Sequence, residues 1–199
     1  VKRADVAAAV AAAAPDHVVV ASLGSAGRAW REHGGPNPTF YASDPMGAAP
    51  GLALGAALAR PDLGLLLLEG DGDLVMNLGS LLAIADAAPA NLRVVVFNNG
   101  RYETGGGQPL AAGALADLAA IARGAGWPFA RTVARDTDPA ELRGVIDELL
   151  TATGPGVVVV EVDTEPSPYG GPGEVSGAEA QQQFRTALAN WERSKGGEG

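Results

Sequence analysis

The 199 residues contain no cysteine. Within this chain, that excludes structural disulfides, a catalytic thiol, thiolate-bound zinc and cysteine-held iron–sulfur clusters. Histidine is nearly absent too. His17 opens an apolar run and reads as structural, and His33 sits in a polar, glycine-rich stretch and reads as a surface residue. Basic residues are in short supply, 14 Lys and Arg against 23 Asp and Glu, for a formal net charge of −9. Nucleic-acid binding needs a basic face, so no nucleic-acid partner is expected. Nor does any apolar run reach the roughly 18 residues that would cross a membrane. The alanine stretch 7–14 lacks the large aliphatics of a signal segment and follows Asp5, so it reads as a first helix and the protein as cytoplasmic. Against these absences, 47% of residues are apolar and 19% charged, which suits a globular chain with a sizeable core.

Short β-branched or leucine runs alternate with Ala/Leu stretches of helical length. The pattern predicts strands over 18–21, 65–68, 94–97, 131–134 and 157–162, and helices over 47–60, 74–88, 114–123, 139–150 and 178–192. Asp138 before Pro139 reads as an N-cap with proline at the first helical position. The strands at 65–68 and 94–97 show no polar alternation, so both of their faces should be buried. Alternating β and α elements with such strands indicate an α/β fold of three layers, α/β/α, around a mainly parallel sheet. No internal repeat is visible. Residues 1–195 read as one domain, 196–199 as a frayed tail, and 166–173 as a Pro/Gly loop.

In a sheet of this kind ligands bind beyond the carboxyl ends of the strands. Three loops there have unusual composition: Ser22-Leu23-Gly24-Ser25-Ala26-Gly27, Gly70-Asp71-Gly72-Asp73 and Asn98-Asn99-Gly100-Arg101. In the second, the glycines let the backbone turn sharply and approach a ligand. A helix start offers N–H groups to an anion, and Asp71 puts a carboxylate in the same place. A bare carboxylate repels phosphate, but carboxylate, Mg2+ and phosphate form a self-consistent set. Right-handed crossovers bring the end of the next strand, at Asn98-Asn99, to the same edge. The Asn99 amide oxygen is a neutral hard ligand, and Gly100 lets the chain bend so that the Arg101 carbonyl can turn inward. Taken alone, each loop also fits an ordinary turn.

Gly-Asp-Gly followed after about 25 residues by Asn-Asn at the next strand end resembles the fingerprint of thiamine diphosphate enzymes. The continuation Asn98-Asn99-Gly100-Arg101-Tyr102-Glu103-Thr104-Gly105-Gly106-Gly107-Gln108 is similar to the phosphonopyruvate and sulfopyruvate decarboxylases. So is the helix start at Met46-Gly47-Ala48-Ala49-Pro50-Gly51. The resemblance covers roughly residues 18–162 and implies the diphosphate-binding domain of that family. It implies thiamine diphosphate and Mg2+ as cofactors, with Asp71, the Asn99 side chain and the Arg101 carbonyl on the metal. Gly24, Ser25, Gly70, Gly72 and Asp73 would hold the diphosphate. Met46 would be the wedge beneath the cofactor, and the Asp44 carbonyl would accept from its aminopyrimidine. The family's Gly-Ser before Met is Asp44-Pro45 here. Arg28, Thr104 and Gln108 are candidates for gripping an anionic substrate, and Gly105–Gly107 suggest a lid.

The implied activity is decarboxylation of a small 2-oxo acid, like phosphonopyruvate or sulfopyruvate, to an aldehyde and CO2. Alternatives are an acetolactate synthase-like carboligase and a non-catalytic scaffold subunit. The β subunit of a 2-oxoacid:ferredoxin oxidoreductase is disfavoured by the missing cluster cysteines. A Rossmann dinucleotide domain is disfavoured because no strand is followed by G-x-G-x-x-G. In the family a glutamate that activates the pyrimidine lies on a separate pyrimidine-binding domain, and one α/β domain takes up this chain. The resemblance therefore implies a partner α subunit, an α2β2 or higher assembly, no catalytic acid on this chain, and an interface at the helices 47–60 and 74–88.

Overall fold

Six parallel strands in the order β2-β1-β3-β4-β8-β7 form the central sheet of the computed structural model, which describes residues 1–43, 45–111, 116–165 and 177–196. The strands are β1 (His17–Ala21), β2 (Thr39–Tyr41), β3 (Gly64–Gly70), β4 (Leu92–Asn98), β7 (Phe129–Val133) and β8 (Gly156–Glu161). A two-residue antiparallel ladder pairs β5 (Arg101–Tyr102) with β6 (Gln108–Pro109) outside the sheet.

Successive side chains of a strand point to opposite faces, and the two cores follow that period. Val19, Leu66, Leu68, Val95, Val158 and Val160 face one way, against α1 (Arg3–Ala13), α2 (Ser25–His33) and α7 (Pro139–Thr151). Val18, Val20, Leu65, Leu67, Val94, Val96, Val157 and Val159 face the other. There they meet α3 (Ala49–Ala59), α4 (Asp71–Met76), α5 (Gly79–Ala87) and α6 (Leu118–Gly124). Helix α8 (Gly177–Gly196) closes that side, with Phe184 edge-on to Phe40 of β2. This is the three-layer α/β/α arrangement with a parallel sheet.

Asp138 caps α7 as expected, accepting from the Ala140 and Glu141 N–H groups at 2.8 and 3.0 Å. Four elements depart from the sequence pattern. Helix α2 begins at Ser25, inside a stretch read as loop, and β2 has only three residues. The predicted helix 74–88 is two, α4 and α5, and α4 starts three residues early at Asp71. The predicted helix 114–123 starts at Leu118, capped by the Asp117 carboxylate on the Ala120 N–H at 2.9 Å. The Pro/Gly loop 166–173 and the last three tail residues lie outside the described residues. Among the described residues no helix is long and apolar enough to cross a membrane.

Candidate functional site

β1 and β3 are neighbours, but the chain leaves β1 for β2 on one side and β3 for β4 on the other. Reversal of strand order opens a crevice at the carboxyl ends of such strands. A cleft of about 340 Å3, open to solvent, occupies that position. Four segments line it: Leu23–Ser25 after β1, Met46 before α3, Gly70–Asp73 after β3, and Asn99 with Arg101–Thr104 after β4. Thr104 reaches the cleft, whereas Arg28 and Gln108 are not among its lining residues. Arg28 lies in the first turn of α2, and Gln108 folds back against Gly105 and Gly106. Asp44 lies outside the described residues.

The backbone is shaped for close approach. Gly24 holds a φ of 82°, in the left-handed region, and a Cβ there would stand 3.0 Å from the Thr104 methyl. A Cβ on Gly72 would come within 3.0 Å of the Tyr102 ring and 3.4 Å of the Arg101 carbonyl oxygen. The Arg101 carbonyl therefore faces the Gly70–Asp73 turn.

Asp71 is buried, with its Oδ2 accepting from the Gly100 N–H at 2.7 Å. Burial pushes its pKa up to about 6, against the opposing pull of backbone N–H groups led by that of Gly100. Among the described residues, no Lys or Arg forms an ion pair with it. Asn99, also buried, accepts from the Arg101 N–H on Oδ1 at 2.9 Å and donates from Nδ2 to Glu103 at 2.9 Å. Among the described residues there is no cluster of three His, Cys, Asp or Glu suited to a metal. One carboxylate, one amide oxygen and one carbonyl could instead serve a hard cation that shares its remaining positions with phosphate oxygens or water.

The Asp73 side chain turns toward Gly47. Its Oδ1 accepts from the Gly47 N–H, while Asn77, one turn on, donates to the Gly47 carbonyl at 3.0 Å. This pair grips the Gly47 peptide and so fixes Met46 at the cleft. Glu69 is fully buried beside it. Burial first, then the Asp73 carboxylate, hold the Glu69 carboxyl well above the usual carboxylate range. His17 is at the opposite end of β1, half-buried against Gly64, and burial and nearby Arg93 lower its pKa. His33 is exposed at the end of α2.

Sequence reasoning missed Glu103, Asn77 and Arg3. Glu103 was visible inside the motif, but its bond to Asn99 depends on how the β5–β6 loop folds. Arg3 carries no local signal, since its partners lie 100 and 160 residues away.

The family described as "Thiamine pyrophosphate enzyme, C-terminal TPP binding domain" matches residues 25–162. Phosphonopyruvate decarboxylase of Streptomyces viridochromogenes is 32% identical over 172 residues, covering 85% of this chain and 42% of that protein. Sulfopyruvate decarboxylase subunit beta of Methanothermobacter thermautotrophicus is 34% identical over 116 residues, covering 58% of this chain and 62% of that one. The chain thus spans about half the length of these relatives. Among solved structures, 2-oxoglutarate:ferredoxin oxidoreductase from Magnetococcus marinus superposes with a TM-score of 0.67 at 17% identity, over 81% of this chain and 61% of that one. That likeness concerns the fold alone. With the fold, the cleft and the sequence match in agreement, the chain belongs to the thiamine pyrophosphate enzymes, as their C-terminal TPP-binding domain.

Proposed function

We propose that this chain is the diphosphate- and Mg2+-binding part of a two-subunit thiamine diphosphate-dependent 2-oxoacid decarboxylase. Its substrate would be a small anionic 2-oxo acid of the phosphonopyruvate or sulfopyruvate kind, its products an aldehyde and CO2. The observation that carries the reading is Asp71: a buried carboxylate with no basic partner among the described residues, at the switch-point crevice, with the Asn99 amide and Arg101 carbonyl beside it. A carboxylate left so needs a cation, and the neutral donors beside it suit Mg2+ shared with a diphosphate.

Asp71, Asn99 Oδ1 and the Arg101 carbonyl would hold the metal. Backbone groups at Gly24-Ser25 and Gly72-Asp73 would hold the diphosphate. The Asp73 carboxylate, already engaged by Gly47, would stand apart from the phosphate oxygens. Bound thiamine diphosphate supplies the electron sink for loss of CO2. The chain's own part is positional: Met46, fixed through Gly47, sets the floor of the cleft, and Thr104 stands at its rim. The domain would be a single one over residues 1–195, working against a pyrimidine-binding partner.

The test is to assay this chain with that partner, Mg2+ and cofactor against a panel of 2-oxo acids. Release of CO2 with an aldehyde is the expected outcome. An acetohydroxy acid product would replace decarboxylase by carboligase, and cofactor binding without turnover of any acid would make the chain a scaffold.

A further inference from the structure

We propose that Arg3 is a positioning residue for the Asn99 amide, acting through Glu103, so that the first helix sets the affinity of the cleft for its divalent cation. The inference rests on the reading of Asn99 as a cation ligand. Arg3 itself lies outside the residues that match the family, 25–162.

Arg3 is in the first turn of α1 and only 2% exposed. Its guanidinium joins two other segments. Nη1 donates to both carboxylate oxygens of Glu103, at 3.1 and 3.0 Å. Nη2 donates to Asp163 Oδ1 and to the Asp163 carbonyl, both at 3.1 Å, and to the Glu165 carbonyl. The Arg3 backbone N–H also bonds Asp163 Oδ2, at 3.3 Å. An arginine so buried, with both terminal nitrogens engaged, has few alternative positions. Its planar fork fixes the carboxylate it meets.

Glu103 is thereby held with Oε2 on the Asn99 Nδ2 at 2.9 Å. On the other side of the amide, the Arg101 N–H donates to Asn99 Oδ1 at 2.9 Å. The two contacts agree on the orientation, NH2 toward the carboxylate and oxygen toward the N–H. A flipped amide would set oxygen against carboxylate and NH2 against N–H. An amide oxygen has two lone pairs, so Oδ1 keeps one for a cation. Arg3 has a second effect. It neutralises Glu103, which then serves Asn99 as an acceptor rather than competing as a metal ligand. Groups that orient a metal's ligands typically change metal affinity 10–100-fold when removed.

The experiment measures the Mg2+ concentration for half-maximal thiamine diphosphate binding, by calorimetry on the chain assembled with its partner. Wild type is compared with Arg3→Met, Arg3→Lys, Glu103→Gln and the Arg3→Met/Glu103→Gln double variant, with the apo melting temperature recorded for each. Glu103→Gln keeps the shape but has one acceptor oxygen where two donors point, and it carries the test should Arg3→Met fail to fold. We expect Arg3→Met and Glu103→Gln each to raise the half-saturating Mg2+ about tenfold or more. Arg3→Lys should fall in between, and the double variant should be no worse than the weaker single, because the two act in series. Cofactor affinity at saturating Mg2+ should be restored. An unchanged or lowered Mg2+ requirement, or a loss of affinity that saturating Mg2+ does not restore, would overturn the positioning role, whatever the melting temperatures. A wild type that binds no cofactor with Mg2+ would overturn the functional reading itself, and this inference with it.

Discussion

A carboxylate as buried as Asp71 is strained when charged, and its pKa of about 6 measures that strain. The folded value lies above the ordinary value near 4, so the folded chain holds this proton more tightly than the unfolded chain. The contribution of Asp71 to stability is therefore fully favourable below about pH 4. It declines as pH rises toward 6 and is lost above, on the order of 2–3 kcal/mol in all. A cation reverses the argument, since it binds the charged form. Thermal unfolding of the apo chain and of Asp71→Asn, followed from pH 4 to 7, should show the wild type losing stability relative to the variant across that window. A pH-independent difference would mean that Asp71 does not titrate there. Asp71→Ala should in turn abolish Mg2+-dependent cofactor binding and leave the fold intact, because Asp71 heads the short helix α4 and belongs to neither apolar core cluster. Retained binding by calorimetry would remove Asp71 from the metal.

Helix α4 is six residues long. The Leu/Ala spacing over 74–88 reads as one helix, yet the chain breaks at Asn77-Leu78, where the Asn77 side chain leaves the helix to bond the Gly47 carbonyl. Tertiary hydrogen bonding overrides helical periodicity there, and no local pattern could announce it. The same limit explains β2 and the first turn of α2. Three residues are too few for a strand period, and Gly24-Ser25 looks like loop until Gly24 adopts its left-handed φ. By contrast the long apolar strands, the helix after Asp138 and the two loop motifs were legible, because each depends on neighbours in sequence. The site was readable where it consists of motif residues and opaque where it depends on Arg3, Asn77 and the side-chain direction of Asp73. If α4 fixes Met46 through Gly47, then Asn77→Ala should mimic Met46→Ala. Both should lower kcat more than cofactor affinity, since a residue shaping the reactive geometry acts mainly on turnover. Equal losses in kcat and affinity for Met46→Ala would return that side chain to simple packing.

Among the described residues, four of the five exposed large hydrophobic side chains lie on the outer surface of the α3–α5 layer. Helix α3 has no charged residue from Ala49 to Ala59; its buried face is Ala49, Pro50, Ala53 and Ala57. On its outer side Leu52 and Leu58 are 44% and 56% exposed, and a Cβ added at Gly51 or Gly55 would meet nothing within 4 Å. Met76 of α4 and Leu82 of α5 add exposures of 54% and 62%. A helix without charge on either face is ordinarily covered on both, and exposed apolar patches bordering a ligand cleft mark association surfaces. The carboxylates lining the cleft are already engaged: Asp71 by the Gly100 N–H, Asp73 by the Gly47 N–H, Glu103 by Arg3 and Asn99. Each is thus tied to this chain's own structure, and a general acid for the cofactor's far end would come from what covers this layer. We therefore expect the purified chain to be inactive with saturating cofactor and Mg2+, and to gain activity when mixed with a pyrimidine-binding partner through the α3–α5 face. Leu58→Asp and Leu82→Asp should leave the melting temperature of the isolated chain nearly unchanged, because exposed substitutions usually move stability by no more than about 0.5 kcal/mol. Both should abolish co-elution with the partner in size-exclusion chromatography, and activity with it. Full decarboxylase activity from the isolated chain would overturn the two-subunit arrangement. Assembly unaffected by both substitutions would move the interface to another face.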